Sequence, residues 1–470
     1  MRSPFALKYM EKCVDEFFKH SRRKILVWGD EDADGITSTT ILYTVLKDLG
    51  YEVEYYIPRR YCEKVGLNYE RLMEFMENGV RLVVTVDCGT SDYDIIKKAE
   101  KSGLRIIVTD HHELQEKIPE FIVNPKIDYE FKGLCGAAVA FKFAQAVAMR
   151  QIGINENQWL TVRKDLLPLV MIGILGDKAP LVDENREFVK LGLKEMENPK
   201  IVGLRALKEE MKIEGTKIYE ILSSIIPVIS AGRMCKEWNP AFDLFIIEDE
   251  EECKKRINEL KKLQETWQSM LNNAIQECIS RARVCGEVLF VYSTNLPEFL
   301  IGSCAYKLAQ KFKKVTVVIG RRENGILCGE CRTPFVNINL LDILKENRDL
   351  FEDFGGHKLA CGFSITEENV KKFRERLEKY IFKEQPKLPA EKISDIKLED
   401  ITKEFVQSVI ERGPFGPGNP RPIFRTVGTA KELKERGINV NVTDENVRLE
   451  VIFTITDDGK ISINSYKKIT

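Results

Sequence analysis

The sequence predicts an α/β protein: a doubly wound parallel-sheet domain, a long connector helix, a second, smaller α/β domain and a small C-terminal β domain. Three observations carry this. Short, continuously apolar runs alternate with helical stretches that stop at glycine. A charged, amphipathic stretch over 250–283 contains neither proline nor glycine and separates two such regions. The last 80 or so residues break into short strand-like pieces with turn signals. The expected limits are 1–245, 246–283, 284–385 and 386–470, with a polar, proline-bearing linker near 384–390.

In the first region, Lys24-Ile25-Leu26-Val27-Trp28 reads as a strand and Ile36 to Leu49 as a helix ending at Gly50. Glu52 to Ile57 is a strand, and Tyr69 to Asn78 a helix closed by Gly79. Leu82 to Val86 is a strand, Tyr93 to Ser102 a helix closed by Gly103, and Arg105 to Thr109 and Phe121 to Val123 are strands. Strands with no polar alternation are buried on both faces, as in a parallel sheet. Ligands of such sheets sit at the carboxyl ends of the strands. Residues 134–245 read as mostly helical. In the second region the strands are Glu287–Tyr292, Val315–Ile319 and Ile326–Gly329, with a glycine-rich ending at Phe354–Phe363. The C-terminal pieces suggest a small β-barrel.

The 470 residues carry a formal net charge of −1, which excludes a basic-tail protein. A bound polyanion must therefore meet a local basic groove. No run of about eighteen apolar residues is present, so no membrane span is expected. The first residues lack a signal-peptide core, so the expected location is the cytoplasm. The twelve cysteines read as reduced thiols, and the CxxC at Cys328–Cys331 has no second ligand pair near it. The Lys/Glu-rich surface resembles that of thermophile proteins.

Chemistry concentrates at the ends of the apolar runs. After Trp28 come Asp30, Asp32 and Asp34, which in an extended loop would project to one side. Clustered carboxylates repel one another unless a cation neutralises them. The next strands deliver Asp87 and then Asp110, His111 and His112, while the run Leu169–Leu175 ends in Gly176-Asp177. Singly, each has a bland reading: Asp87 as a helix N-cap, the DxDxDG run as a calcium loop. The calcium loop fails because Ile41 stands where the twelfth-position glutamate belongs. Several segments each ending in an acid favour a metal site, and carboxylates with one or two imidazoles favour Mn²⁺ or Mg²⁺ over zinc.

These residues resemble the motifs of the DHH phosphoesterases, and within them the RecJ-type single-strand nucleases. Gly29–Gly35, Val86–Gly89, Asp110-His111-His112 and Gly176-Asp177 are similar to the four family motifs. Further matches are Ile57-Pro58-Arg59, Val123-Asn124-Pro125, Gly136–Lys142 and Glu184-Asn185-Arg186. Gly355-Gly356-His357 resembles the substrate motif of the associated second domain, and Pro414–Pro420 the start of an oligonucleotide-binding domain. Length and style resemble archaeal RecJ-like proteins, including the nuclease that associates with the GINS replication complex.

The resemblance implies a site of two Mn²⁺ or Mg²⁺ ions held by Asp30, Asp32, Asp34, Asp87, His111 and Asp177, with Asp87 bridging. It implies that Asp110 orients the histidines and that His112 serves as proton or hydrogen-bond donor beside the scissile phosphate. Arg233, Arg332, Gly355, Gly356 and His357 would bind the substrate. The implied activity is hydrolysis of single-stranded DNA, or RNA, to mononucleotides in replication and repair. Two departures bear on strand-end recognition: Glu330 stands where a serine is usual ahead of Arg332, and Ser230 where an asparagine is usual. Phe415, Phe424, Phe453 and Tyr466 are candidates to stack bases, with core packing expected for most. The alternatives are a nano-oligonucleotide or cyclic-dinucleotide phosphodiesterase, and a non-catalytic scaffold similar to Cdc45. The connector and C-terminal domain weigh against the first, the intact acids and histidines against the second.

Overall fold

The structure is a computed structural model that describes residues 1–58, 66–213, 217–235, 238–322, 325–389 and 392–469, without the side chain of His357. Arg59 of the Ile57-Pro58-Arg59 segment and Ala390 of the linker lie outside the described residues. The chain forms two compact units, Met1–Gln264 with Ile393–Thr470, and Glu265–Lys392.

The first unit is built on β1 (Lys24–Trp28), β2 (Val53–Tyr56), β3 (Val80–Val86), β4 (Arg105–Thr109) and β5 (Ile122–Val123). All pair in parallel, in the order β2-β1-β3-β4-β5. The period-2 alternation of a strand sends neighbouring side chains to opposite faces. Ile25 and Val27 join the core under α1 (Met10–His20) and α2 (Ala33–Asp48), while Leu26 and Trp28 pack under α3 (Tyr69–Glu77) and α4 (Tyr93–Lys101). Helices α5 (Gly136–Ile152), α6 (Glu156–Val162), α7 (Leu167–Gly176) and α8 (Asp183–Met196) complete the first layer. Because β1 lies between β2 and β3, the winding reverses there. That opens a crevice beyond the carboxyl ends of β1 and β3.

The structure corrects one local expectation. Helix α2 starts at Ala33, not Ile36, because the Asp32 carboxylate caps it, accepting from the Asp34 and Gly35 amides at 2.9 and 3.0 Å. Asp34 is therefore in the first helical turn and not in an extended loop. The buried run Thr37–Thr40 is satisfied inside the helix: Thr37, Thr39 and Thr40 each donate to the carbonyl four residues back.

The second unit holds β6 (Arg283–Cys285), β7 (Val288–Pro297), β8 (Val315–Arg321), β9 (Leu327–Arg332), β10 (Phe351–His357) and β11 (Ala360–Ile365), in the order β10-β11-β9-β8-β7-β6. Only β7 and β8 pair in parallel. The glycine-rich ending is the β10–β11 hairpin. Cys328 and Cys331 join separate cores on the two faces of β9, so they do not face a common ion. The connector helix is Glu250–Arg281.

The C-terminal segment is a sheet of β12 (Ile393–Asp395), β13 (Ile423–Thr429), β14 (Arg448–Ile455) and β15 (Ile461–Lys468) in chain order. Phe424 and Phe453 are core side chains, which removes them as base-stacking surfaces; Tyr466 is 43% exposed. Among the described residues no helix is long and apolar enough to cross a membrane.

Candidate metal centre

The crevice at the strand reversal collects the predicted acids. Asp87 follows β3 and adopts φ 61°, a left-handed conformation that only Gly, Asn and Asp visit readily. Its amide donates to the Thr109 carbonyl of the neighbouring strand at 3.0 Å, which fixes the turn. Asp87 Oδ1 is buried and lies 3.1 Å from His111 Nε2, yet it makes no hydrogen bond of good geometry. A carboxylate oxygen left in this state is costly unless a cation completes it.

Asp34 is fully buried and clamped by the first amides of α5, Gly136 at 2.7 Å and Ala137 at 2.8 Å. Its Oδ2 lies 3.8 Å from His111 Nε2. Asp177 caps the carboxyl end of α7, where the helix dipole disfavours an anion, and its Oδ2 is 3.9 Å from His111 Nδ1. His111 thus faces acids from both ring nitrogens. Two sets of ligand atoms come together within 4.8 Å: Asp87, Asp110, His111 and His112, and then Asp34, His111 and Asp177.

Asp30 and Asp32 stand outside both sets. Their charges still help raise the Asp87 pKa. Asp30 accepts from the Glu31 amide at 2.7 Å. Asp110 points to His112, whose Nδ1 is 2.8 Å from Asp110 Oδ1. Its other oxygen accepts from the Thr90 amide at 2.9 Å. Asn124 donates to the Thr90 hydroxyl and to the His112 carbonyl, locking the loop from below.

Burial and the neighbouring Asp34, Asp32 and Asp30 charges hold Asp87 well above the usual carboxylate range. Asp34 is raised by burial, and Asp177 is pushed up to about 8 by burial and the charges of Asp34 and Asp32. Burial lowers His111, leaving the neutral imidazole a metal ligand requires. The hydrogen bond to Asp110 raises His112 to about 9. Burial works to raise Asp110, but the hydrogen bond and charge of His112 prevail and hold it below the usual range. The fit to divalent cations is therefore good: hard carboxylate donors, a neutral imidazole, an orphaned buried oxygen and excess negative charge.

Sequence reasoning assigned no part to several residues that shape this centre. A Cβ on Gly136 would meet Asp87 Oδ1 at 2.4 Å, and one on Gly173 would meet Asp34 Oδ1 at 2.5 Å, so both glycines are needed for close approach. The buried Asn185 amide donates to the Gly133 carbonyl at 2.6 Å and the Pro180 carbonyl at 3.1 Å. It ties the loop leading into the Asp34 clamp to the turn that follows Asp177. Beside it, Glu184 forms a buried ion pair with Lys142 of α5 at 2.8 Å, and Arg186 donates to the carbonyls of Glu411, Arg412 and Gly413. The sequence signals were the matching segments Gly136–Lys142 and Glu184-Asn185-Arg186, to which no part was assigned.

The predicted substrate residues fall in both units. Arg233 sits in a short helical turn, Ala231–Met234, of the first unit. In the second, Arg332 Nη1 donates to Glu330 Oε2 at 2.6 Å, so the unusual glutamate is the arginine's partner. Gly356 has φ 130°, and a Cβ there would meet the Ala360 carbonyl at 2.5 Å, whereas Gly355 is open. His357 ends β10 opposite Ala360.

Residues 24–174 match the DHH family, N-terminal domain, and residues 286–383 match the DHHA1 domain. The chain is 32% identical over 468 residues to the single-stranded-DNA-specific exonuclease RecJ of Bacillus subtilis, covering 95% of this chain and 58% of that protein. The corresponding Thermus thermophilus protein is 28% identical, covering 90% and 62%. The chain thus spans less than two thirds of the length of these relatives. A crystal structure of Thermus thermophilus RecJ in complex with Mn²⁺ superposes with a TM-score of 0.81 at 25% identity, covering 99% of this chain and 72% of that one. A manganese-bound exonuclease RecJ gives 0.67 at 28% identity, over 80% and 94%.

Proposed function

Because the chain belongs to the DHH family and carries its DHH and DHHA1 domains in order, we propose that it is a Mn²⁺- or Mg²⁺-dependent exonuclease that hydrolyses single-stranded DNA to mononucleotides. The observation that carries this reading is the orphaned Asp87 oxygen within a cluster of raised carboxylates and a neutral histidine. Asp34, Asp87, His111 and Asp177, with Asp30 and Asp32 beside them, would hold two ions. Bound divalent ions supply a lowered pKa for the attacking water and neutralise the phosphoryl oxygens.

The protein's own groups do the rest. Asp110 fixes the His112 ring through Nδ1, which leaves Nε2 as the nitrogen that meets substrate. The Asp110 hydrogen bond, which raises His112 to about 9 in the metal-free protein, favours its protonated form and fits it to donate to a phosphoryl or leaving oxygen as charge develops. Thr90 and Asn124 hold that pair in place. In the second unit, Arg332, Gly355, Gly356 and His357 are the proposed strand-binding groups, and Arg233 in the first. The domain limits 1–245, 246–283, 284–385 and 386–470, and a cytoplasmic location, go with this reading.

Digestion of end-labelled single-stranded DNA and RNA, with and without a 5′ phosphate, tests it. Release of label as mononucleotide from one end is expected. Rapid cleavage of dinucleotides with no attack on long strands would favour a nano-oligonucleotide phosphodiesterase instead. An archaeal replicative setting with a GINS-type partner is supported by sequence style alone, while the relatives named above are bacterial. Co-purification of GINS subunits with the tagged chain is its test.

A further inference from the structure

The second unit has a cleft at the sheet edge opposite the β10–β11 hairpin: β6 is at one edge and β10 at the other. Its volume of about 520 Å³ suits a small ligand. Arg281 from the end of the connector, Arg283 of β6, and Lys371 and Arg374 of helix Glu367–Glu378 line it, against the single carboxylate of Glu367. Tyr292 forms an aromatic wall, and its hydroxyl donates to Glu367 at 3.0 Å.

The helical cations of this cleft pair only along their own helices. Arg281 pairs with Glu277 at 2.5 Å, Arg374 with Glu378 at 3.6 Å and Lys371 with Glu375 at 3.9 Å, each one turn away on its own helix. Exposed pairs of this kind are weak and give way to a doubly accepting phosphate. Arg283 is exposed and has no ion-pair partner among the described residues, and the buried Arg374 Nε meets Glu378 only at 3.6 Å, beyond hydrogen-bond reach. A net-neutral protein has no general attraction for polyanions, so a lining of four cations and one carboxylate, with the partners Glu277, Glu375 and Glu378 outside the cleft wall, marks a place.

We infer that this cleft binds the phosphate of a nucleotidyl group, remote from the β10–β11 edge. The group is either a stretch of single strand or a free mononucleotide. No reaction occurs there, and the inference stands or falls independently of the hydrolytic reading.

The test is fluorescence anisotropy of a labelled oligothymidine strand with the full chain, in EDTA so that hydrolysis is off. Calorimetric titration with thymidine monophosphate forms a second arm. The double variant Arg283→Glu/Lys371→Glu should bind at least about tenfold more weakly. Its log–log salt dependence should flatten by roughly 0.7 for each phosphate that the variant no longer neutralises. Lys307→Glu, an exposed cation on helix Glu298–Phe312, should bind as the parent does. Loss in the strand arm alone assigns the cleft to a strand, and loss in both arms to a nucleotide. Unchanged binding in the double variant, or an equal loss in Lys307→Glu, overturns the inference. Manganese-dependent cleavage of a dinucleotide, measured in parallel, should be unaffected and reports separately on the hydrolytic reading.

Discussion

The N-terminal and C-terminal sheets of the first unit handle charge in opposite ways. In the C-terminal sheet the acids lie at the surface beside cations: Asp395 accepts two hydrogen bonds from Arg425, at 2.6 and 2.9 Å, and Lys467 pairs with Glu450 at 3.0 Å. Its core is closed by Phe424, Phe453 and their neighbours. In the N-terminal sheet the acids are buried against one another, Asp87 is held at positive φ, and its Oδ1 has no hydrogen-bond partner. One sheet satisfies its own charges. The other is built around charge that must come from outside, and strain at such a position is what a functional site retains.

The sharpest way to break that contrast is Asp87→Asn. Asn keeps the shape and tolerates the left-handed conformation, so the protein should fold while hydrolysis in Mn²⁺ falls below detection. Retained activity would remove Asp87 from the centre. Next in size, His112→Gln should lower kcat by about 10²–10⁴-fold with KM little changed, in steady-state assays on a short strand.

Asn185→Ala removes a buried donor shared by two carbonyls. It should cost roughly 1–3 kcal/mol in urea melts and raise the Mn²⁺ concentration needed for half-maximal rate. A change in stability with no change in metal demand would leave Asn185 as a plain structural residue.

Asp177→Asn tests the charge itself. The folded pKa of about 8 lies above the ordinary value of 3.8, so the folded state disfavours the carboxylate. Metal-free wild type should therefore lose stability from this group as pH rises from about 4 to about 8, and the variant should not. For a side chain 36% exposed, the gap at pH 8 should be on the order of 1 kcal/mol after solvent screening. Added Mn²⁺ should reverse its sign. Melting curves at several pH values, with and without metal, read this directly. The smallest effect belongs to the other sheet: Asp395→Ala should cost less than about 1 kcal/mol in the same melts and leave metal response alone.

Much of this centre was legible in the sequence because strand ends and ligand types are local signals. Apolar runs stopping at Asp87 and Asp110 announced both the sheet and the rim of its crevice. What was not legible depends on approach between distant segments. The Asp34 clamp comes from amides about a hundred residues away in α5, and nothing in Gly-Asp-Glu-Asp-Ala-Asp-Gly forecasts it. The early start of α2 was hidden because Asp32 was read as a ligand and not also as a cap. Asn185 carries no periodic signal at all, since its partners are the carbonyls of two turns. Glu330 and Arg332 are two apart on β9 and so share a face. Their pairing was within reach of the sequence, although the glutamate read there only as a departure bearing on strand-end recognition.

Calorimetric titration of Mn²⁺ into the metal-free full chain tests the central claim most directly. Two ions per chain should bind to the wild type, and Asp87→Asn should lose at least one of them while remaining folded. No Mn²⁺ binding by the wild type, or two ions bound with unchanged affinity by Asp87→Asn, would contradict it.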